Sequence, residues 1–553
     1  MRAIQAVIDY VRQGGVRYVF GIPAGSVNAF YDYLYELTDL TPVIAKHEGA
    51  AGYMAAAYAK YSGKLALCIG CSGPGSTNLL TAAANAMREH LPVLFLTGSV
   101  PTKTVGLNAS QELDAVPSFS ALVKSSVSVS KPEELLPAVV HAVETALGGV
   151  PGPVHVAMPI DMQLADIPPP AIPLFPAVKP MLPTSAQIQM TVGEIVACGR
   201  GRGFVFVGQG ARNSVEEVLQ LAELLEWPIV ATPQAKGLIP DSHPLYRGVF
   251  GFAGHESASG IVSSEAYEAV FVIGSSLGET ATSNWKPELT EGRCVIQLDY
   301  DETVFDRHYR TNIRLCGEAG ETLRLLLDEL EQQPSLLRTA SAAASPKRDG
   351  GFYPAIRSGM YDTPNVLLEL QRCLAASTVY SVDIGEFMSY VIHHMRVLEP
   401  RSFDLNVHFG AMGTAIGTAI GMQLAAPERP VVCITGDGCF FMHGMEILTA
   451  KEYNLPILFV VMNNARLGMV HHGHSLQYKR VHPRFSQEPV NLAAAAEALG
   501  IPSYRIERLQ DITAGSIAKL QHDLSGPALL EISLVDNQVP PMGDRVKFLS
   551  SFK

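Results

Sequence analysis

Gly436-Asp437-Gly438-Cys439-Phe440-Phe441-Met442-His443 lies between two apolar runs, Val431-Val432-Cys433-Ile434-Thr435 and Leu455-Pro456-Ile457-Leu458-Phe459-Val460-Val461-Met462, and the second run ends at Asn463-Asn464. Each run is unbroken rather than alternating and stops at a turn signal, the pattern of a strand buried on both faces of a parallel sheet. Gly444 to Tyr453 has helical spacing, so the whole reads as strand, helix, strand. A right-handed crossover of this kind sets the two strand ends side by side at the carboxyl edge of the sheet, where α/β proteins bind ligands. Asp437 and Asn464 are therefore expected to face one site.

An anionic carboxylate oxygen and a neutral amide oxygen on rigid strand ends suit a small hard cation such as Mg²⁺, which keeps water or phosphate oxygens in its remaining positions. That arrangement implies a phosphorylated ligand. The plainer alternative is a strand-end turn with an Asp that caps a helix.

The chain has 553 residues, 47% of them hydrophobic, which is too long for one core and implies three or four domains. A charged content of 17% argues against a disordered chain, and a net charge of −12 argues against a nucleic-acid partner. No apolar run reaches the length of a membrane span, and the first residues have a helical pattern rather than that of a signal sequence, so the expectation is a cytoplasmic protein with no membrane partner. Cys68-Ile69-Gly70-Cys71 has redox spacing, but no second pair completes a zinc site, and its apolar setting favours buried thiols. His471-His472-Gly473-His474 has no carboxylate at useful spacing, and His393-His394 are neighbours that cannot face one site together on a helix.

Read from the N-terminus, a helix over 2–13 is followed by strands at 16–20, 42–46, 65–70 and 92–98, with turns at Gly21-Ile22-Pro23-Ala24-Gly25, His47-Glu48-Gly49 and Ser72-Gly73-Pro74-Gly75. Strand alternating with helix makes this a parallel α/β domain over 1–165. The helix after Glu48 is rich in small residues, which permit close approach of another helix. Prolines across 166–184 give a stiff linker. A middle domain follows over 185–332, where Phe204-Val205-Phe206-Val207 enters Gly208-Gln209-Gly210, a weak nucleotide signal without the full dinucleotide fingerprint. A second linker over 333–360 leads to a third α/β domain over 361–553. That domain carries Asp383-Ile384-Gly385 at a strand end and Gly410-Ala411-Met412-Gly413 opening a helix, whose free N–H groups and dipole suit a diphosphate.

These motifs, from Phe20 through His47-Glu48-Gly49 and Ser72-Gly73-Pro74-Gly75 to Gly436-Asp437-Gly438 and Asn463-Asn464, resemble those of thiamine diphosphate enzymes of the acetolactate synthase and pyruvate oxidase kind. The resemblance covers nearly the whole chain and implies three α/β domains, binding the pyrimidine, a middle Rossmann-like core and the diphosphate. It implies that Asp437, Asn464 and the backbone carbonyl of Arg466 hold Mg²⁺. Gly385, Gly410, Met412, Gly438, Cys439, Leu467, Gly468 and Met469 would line the cofactor, with Met412 beneath the thiamine. Glu48, whose other reading is a favourable first-turn carboxylate, would bond N1′ of the aminopyrimidine, and Gln111 would stand near the substrate. The implied reaction is decarboxylation of a 2-oxo acid, pyruvate or a close relative, with transfer to a second carbonyl. A simple decarboxylase, an FAD-dependent oxidase and a non-catalytic subunit are the alternatives. Retention of Glu48, Asp437 and Asn464 together argues against the last. The implied assembly is a homodimer or homotetramer with active sites between subunits. Three departures alter the substrate pocket: Ser110 and Ser99 replace the usual Phe and Gln, and no Trp follows Met469. Ser275-Ser276-Leu277-Gly278-Glu279 stands where flavin-containing relatives carry an arginine-bearing segment, which counts against FAD.

Overall fold

The computed structural model describes residues 1–337, 353–354, 356, 358–521 and 526–542. Most of the linker expected over 333–360, and the end of the third domain beyond 542, lie outside them. The described chain forms three sheets, each of six parallel strands with helices packed on its faces.

The first sheet contains β1 (Tyr18–Gly21), β2 (Thr41–Ile44), β3 (Ala66–Gly70), β4 (Val93–Ser99), β5 (Ser126–Ser128) and β6 (Val154–Pro159), in the order β2-β1-β3-β4-β6-β5. The second contains β7 (Gly203–Val207), β8 (Ile229–Ala231), β9 (Tyr246–Val249), β10 (Ala269–Ile273), β11 (Cys294–Asp299) and β12 (Ile313–Cys316), in the order β12-β11-β10-β7-β8-β9. The third contains β13 (Val379–Val382), β14 (Phe403–Leu405), β15 (Val431–Gly436), β16 (Ile457–Asn463), β17 (Ser503–Ile506) and β18 (Ala528–Ser533), in the order β14-β13-β15-β16-β18-β17. Renumbered within each sheet, the first and third share one order, 2-1-3-4-6-5. The second has the doubly wound order 3-2-1-4-5-6, with its switch point between β7 and β10.

The central strands are where the unbroken β-branched runs predict them, because these are buried on both faces: β3, β7, β10, β15 and β16 have every residue buried. Boundaries shift by a residue or two; Leu455-Pro456 precede β16 instead of opening it. The helix expected over Gly444 to Tyr453 is a 3₁₀ turn, Gly444–Glu446, followed by a helix over Ile447–Glu452, and a further short helix over Asp437–His443 precedes it.

One core cluster runs through the first and third sheets without interruption. It is joined by the Glu48–Ser62 helix packing on the Thr414–Ala425 helix, and glycine makes the approach possible: a Cβ on Gly417 would lie 2.8 Å from the Ala50 carbonyl oxygen. The second sheet is tied to both by a buried ionic knot. Lys60 Nζ lies 3.1 Å from Glu89 Oε2 and 3.0 Å from Asp404 Oδ2, while Arg212 stacks 4.2 Å from the Tyr61 ring. Two cations and two carboxylates balance, which is what allows such charge inside a core.

Candidate active site

In the third sheet the carboxyl ends of β14, β13, β15 and β16 are consecutive neighbours, so the segments leaving them converge. Four helices begin there: Glu386–His394 after β13, Thr414–Ala425 after β14, Asp437–His443 after β15 and Gly468–Tyr478 after β16. Converging helix N-termini, each with free N–H groups, form a cradle for an anionic ligand.

Asp437 is the first residue of its helix, 4% exposed. Its Oδ1 accepts the Gly438 N–H at 2.9 Å, whereas Oδ2 is buried with no hydrogen-bond partner. Burial pushes this carboxyl up to about 6, against the pull of nearby backbone N–H groups. Asn464, next to the end of β16, accepts the Arg466 N–H on Oδ1 at 3.1 Å and gives its Nδ2 to Glu386. Gly438 lies between Met412 and Leu467: a Cβ there would sit 3.3 Å from Met412 Cε and 3.4 Å from Leu467 Cδ2. The structure thus gathers Asp437, Gly438, Asn464, Arg466, Met412, Leu467 and Gly468 in one place. Cys439 donates its buried thiol to the Ile384 carbonyl, a structural contact. Gly385, Gly410 and Met469 lie on segments that border the pocket, with Gly410 at a φ of 72° that favours glycine.

Residues not assigned from the sequence shape this pocket. Asp383, fully buried, accepts N–H bonds from Ile384 and Gly413 on Oδ1 and the Thr435 hydroxyl on Oδ2, pinning the start of the 414–425 helix to β13 and β15. Glu386 enters as a second carboxylate. The Arg466 side chain, read from sequence for its carbonyl alone, bonds Asp536 O, Asn537 Oδ1 and His472 Nε2. His474 instead packs against Tyr478 and Phe485, so the 471–474 histidines do not converge. Among the described residues no three His, Cys, Asp or Glu side chains gather as a metal site. A cation here would need the mixed set of carboxylate, amide and carbonyl oxygens.

The second cluster lies on the first sheet. Glu48 is the first residue of its helix, capped by His47, whose Nδ1 accepts the Gly49 N–H at 3.0 Å. Its Oε2 accepts from Asn78 Nδ2 at 2.9 Å, and Gly75 leaves room for Oε1, which would be 3.2 Å from a Cβ there. On the other side of the same turn, the Gln111 carbonyl accepts the Ser72 hydroxyl at 2.6 Å. Gln111 itself is exposed with a φ of 63°. The 72–76 turn therefore brings Glu48 and Gln111 to one edge. A carboxylate from the third-sheet side holds that edge: Glu446 Oε1 accepts both the Lys46 and His47 N–H groups at 2.9 Å. Cys68 and Cys71 are free and buried nearby.

In the middle sheet the weak nucleotide signal falls on the turn after β7. Its glycines are spent on each other: Gly208 N–H donates to Ile273 O at 2.8 Å and Gly210 N–H to Gly274 O at 2.9 Å, across the switch point. A cavity of about 340 Å³ lies beside them, lined by Arg88, Glu279, Trp285, Arg307, His308 and His408.

No helix among the described residues is long and apolar enough to cross a membrane. Family models match three parts of the chain: a thiamine pyrophosphate enzyme N-terminal TPP binding domain over 1–118, the central domain over 200–326 and the C-terminal TPP binding domain over 383–532. A probable acetolactate synthase large subunit of Methanocaldococcus jannaschii is 32% identical over 98% of this chain and 93% of its own length. The corresponding protein of Methanococcus aeolicus is 30% identical over 93% of this chain and 89% of its own, and acetolactate synthase isozyme 1 large subunit of Escherichia coli is 28% identical over 97% and 94%. With the Asp437 cradle and the Glu48 edge on the two sheets those models match, the chain belongs to the thiamine diphosphate enzymes, of the carboligase and decarboxylase type.

Proposed function

We propose that this enzyme is an acetolactate synthase-like carboligase, dependent on Mg²⁺, that decarboxylates a 2-oxo acid such as pyruvate and transfers the acyl unit to a second carbonyl. The observation that carries the reading is the unpartnered Oδ2 of Asp437, buried beside Asn464 where four helix N-termini converge. A lone carboxylate oxygen in a cradle of N–H groups fits a divalent cation held against a diphosphate. Thiamine diphosphate, when bound, supplies the nucleophilic carbon and the electron sink for loss of CO₂.

The residues divide the remaining work. Asp437, Asn464 Oδ1 and the Arg466 carbonyl would hold the cation, and the helix N-termini would take the diphosphate. Met412 and Leu467, on either side of Gly438, would give the thiamine an apolar support. Glu48 would hold and return a proton at N1′. Its position on the first residue of a helix, gripped through Lys46 and His47 by Glu446, limits its travel. Gln111 would orient the substrate from the same edge.

The assembly we propose is a homodimer, at least, with Glu48 of one copy facing the Asp437 cradle of the other. Phe441, Met442 and Met445 beside the cradle are 51%, 55% and 52% exposed, an apolar group that a second copy would cover. The test of the activity is incubation of the Mg²⁺-thiamine diphosphate enzyme with a panel of 2-oxo acids, following CO₂ and identifying the organic product. A 2-hydroxy-3-oxo acid is expected from pyruvate. An aldehyde would make the enzyme a simple decarboxylase, and release of CO₂ from none of the acids would overturn the proposal.

A further inference from the structure

The Asp437 pocket contains one more acid than its reading requires. Glu386 opens the helix after Gly385 and is 9% exposed. Its Oε1 is taken by Asn464 Nδ2 at 2.5 Å, while Oε2 is buried without a hydrogen bond. The closest polar group, His472 Nε2 at 3.2 Å, already receives an N–H from Arg466 at 3.1 Å and has no proton to give. Arg466 is the local cation, at 3.6 Å from Glu386 Oε1, but its guanidinium is shared with Asp536 O, Asn537 and His472. Gly468 is required at its position because any side chain there would strike the Glu386 carboxyl group. Asp437 Oδ2 is the other unpartnered buried carboxylate oxygen in the pocket.

Two buried carboxylates, each with a free oxygen and one divided arginine between them, are costly unless a further cation joins them. We infer that Glu386 is a ligand, directly or through one water, of the divalent cation held by Asp437 and Asn464, so that this is a two-carboxylate site. The inference rests on the metal reading of the pocket. Its consequence is that the cation binds before, and without, the diphosphate: two anionic oxygens, the Asn464 amide oxygen and a carbonyl leave two positions of an octahedron for water.

The test titrates the cofactor-free protein with Mn²⁺, reading free ion by electron paramagnetic resonance with no thiamine diphosphate present. Wild type is expected to sequester Mn²⁺, and Glu386→Gln and Asp437→Asn each to bind it at least tenfold more weakly. Thermal unfolding of the metal-free variants reports folding, and the rise in Tm on adding Mn²⁺ must be smaller for Glu386→Gln than for wild type. If Glu386→Gln binds Mn²⁺ like wild type while Asp437→Asn does not, Glu386 is no ligand and the metal reading stands. If neither substitution weakens binding, both fall. A wild-type protein that leaves Mn²⁺ free without the diphosphate overturns the two-carboxylate site.

Discussion

Replacing Gly417 by Ala isolates the contact that joins the first and third sheets. Gly417 lies inside the 414–425 helix, and the new Cβ would be 2.8 Å from the Ala50 carbonyl oxygen and 3.0 Å from Tyr53 Cβ. That oxygen belongs to the backbone of the facing helix and cannot swing aside, so the two helices must part by roughly half an ångström to reach ordinary contact. Overpacking of this kind costs about 1–3 kcal/mol. Against it, Ala is better than Gly inside a helix by about 1 kcal/mol. Gly193 supplies the internal reference, being exposed in the Ser185–Cys198 helix with nothing within 4 Å of a Cβ. Gly193→Ala should stabilise by about 1 kcal/mol, and Gly417→Ala should destabilise by about the same amount. Differential scanning calorimetry of both variants under one buffer reads the opposition in sign as Tm shifts on the order of 1–2 °C in opposite directions. Gly417→Ala raising Tm as far as Gly193→Ala would refute the close-packed interface.

Asp437→Ala removes an anionic ligand and should abolish tight binding of thiamine diphosphate with Mg²⁺ while leaving the fold intact; unchanged affinity by calorimetry removes the metal assignment. Glu48→Gln should still bind the cofactor but lose about a hundredfold or more in rate, visible as slowed exchange of the thiazolium C2 proton by NMR after acid quench, so exchange at the wild-type rate makes Glu48 a helix-end carboxylate and nothing more. The protein should be colourless after purification and indifferent to added FAD, and a stoichiometric yellow chromophore would contradict this. His155 is buried between Thr97 and Ser126 and stacked 3.9 Å from Phe119, and burial lowers its ring to about 3. The unfolded chain takes up a proton below about 6.5 that the folded chain refuses, so this contribution is intact above that pH and falls by about 1.4 kcal/mol per pH unit on acidification down to about 3. Urea denaturation of wild type and His155→Gln at several pH values checks it, since an equal acid slope in both would show that His155 is not responsible.

The sheets were legible wherever an apolar, β-branched run was long enough to be buried on both faces, as at β15 and β16. Three-residue strands such as β5 and β14 left no such mark, because so short an element is specified by its neighbours in the sheet. The candidate site was legible in residues just past strand ends, Asp437, Asn464 and Glu48, since a strand end fixes where the following side chains emerge. Glu386 and Glu446 were not. Glu386 is defined by Asn464, seventy-eight positions on, and Glu446 by N–H groups about four hundred positions back. Spacing carries no record of partners at that distance. The glycine turn at Gly208-Gln209-Gly210 is ambiguous in sequence for a physical reason, since close backbone packing and phosphate binding demand the same residue.

The shared strand order of the first and third sheets has a consequence for assembly. The helix after the second strand of one sheet, 48–62, packs on the helix after the second strand of the other, 414–425. The flanking contacts are exchanged in kind. Asn85, on the helix that leads from β3, reaches Asn406 just past β14; Tyr453, just past the helix that leads from β15, bonds Pro42 O at 2.7 Å and Ile44 N at 2.9 Å in β2. Equivalent parts of two halves meeting each other reciprocally is the signature of a two-fold relation, here within one chain. The two helices advance together, Gly417 against Ala50 and Gly421 against Met54, so they run in the same sense. A two-fold axis along parallel helices turns the carboxyl edges of both sheets in the same direction. The Glu48 edge and the Asp437 edge of one chain are then side by side rather than face to face, and a ligand spanning both chemistries needs an edge that faces back. A second copy, turned over onto this surface and covering Phe441, Met442 and Met445, would offer each edge its complement, which is the arrangement the proposed homodimer requires.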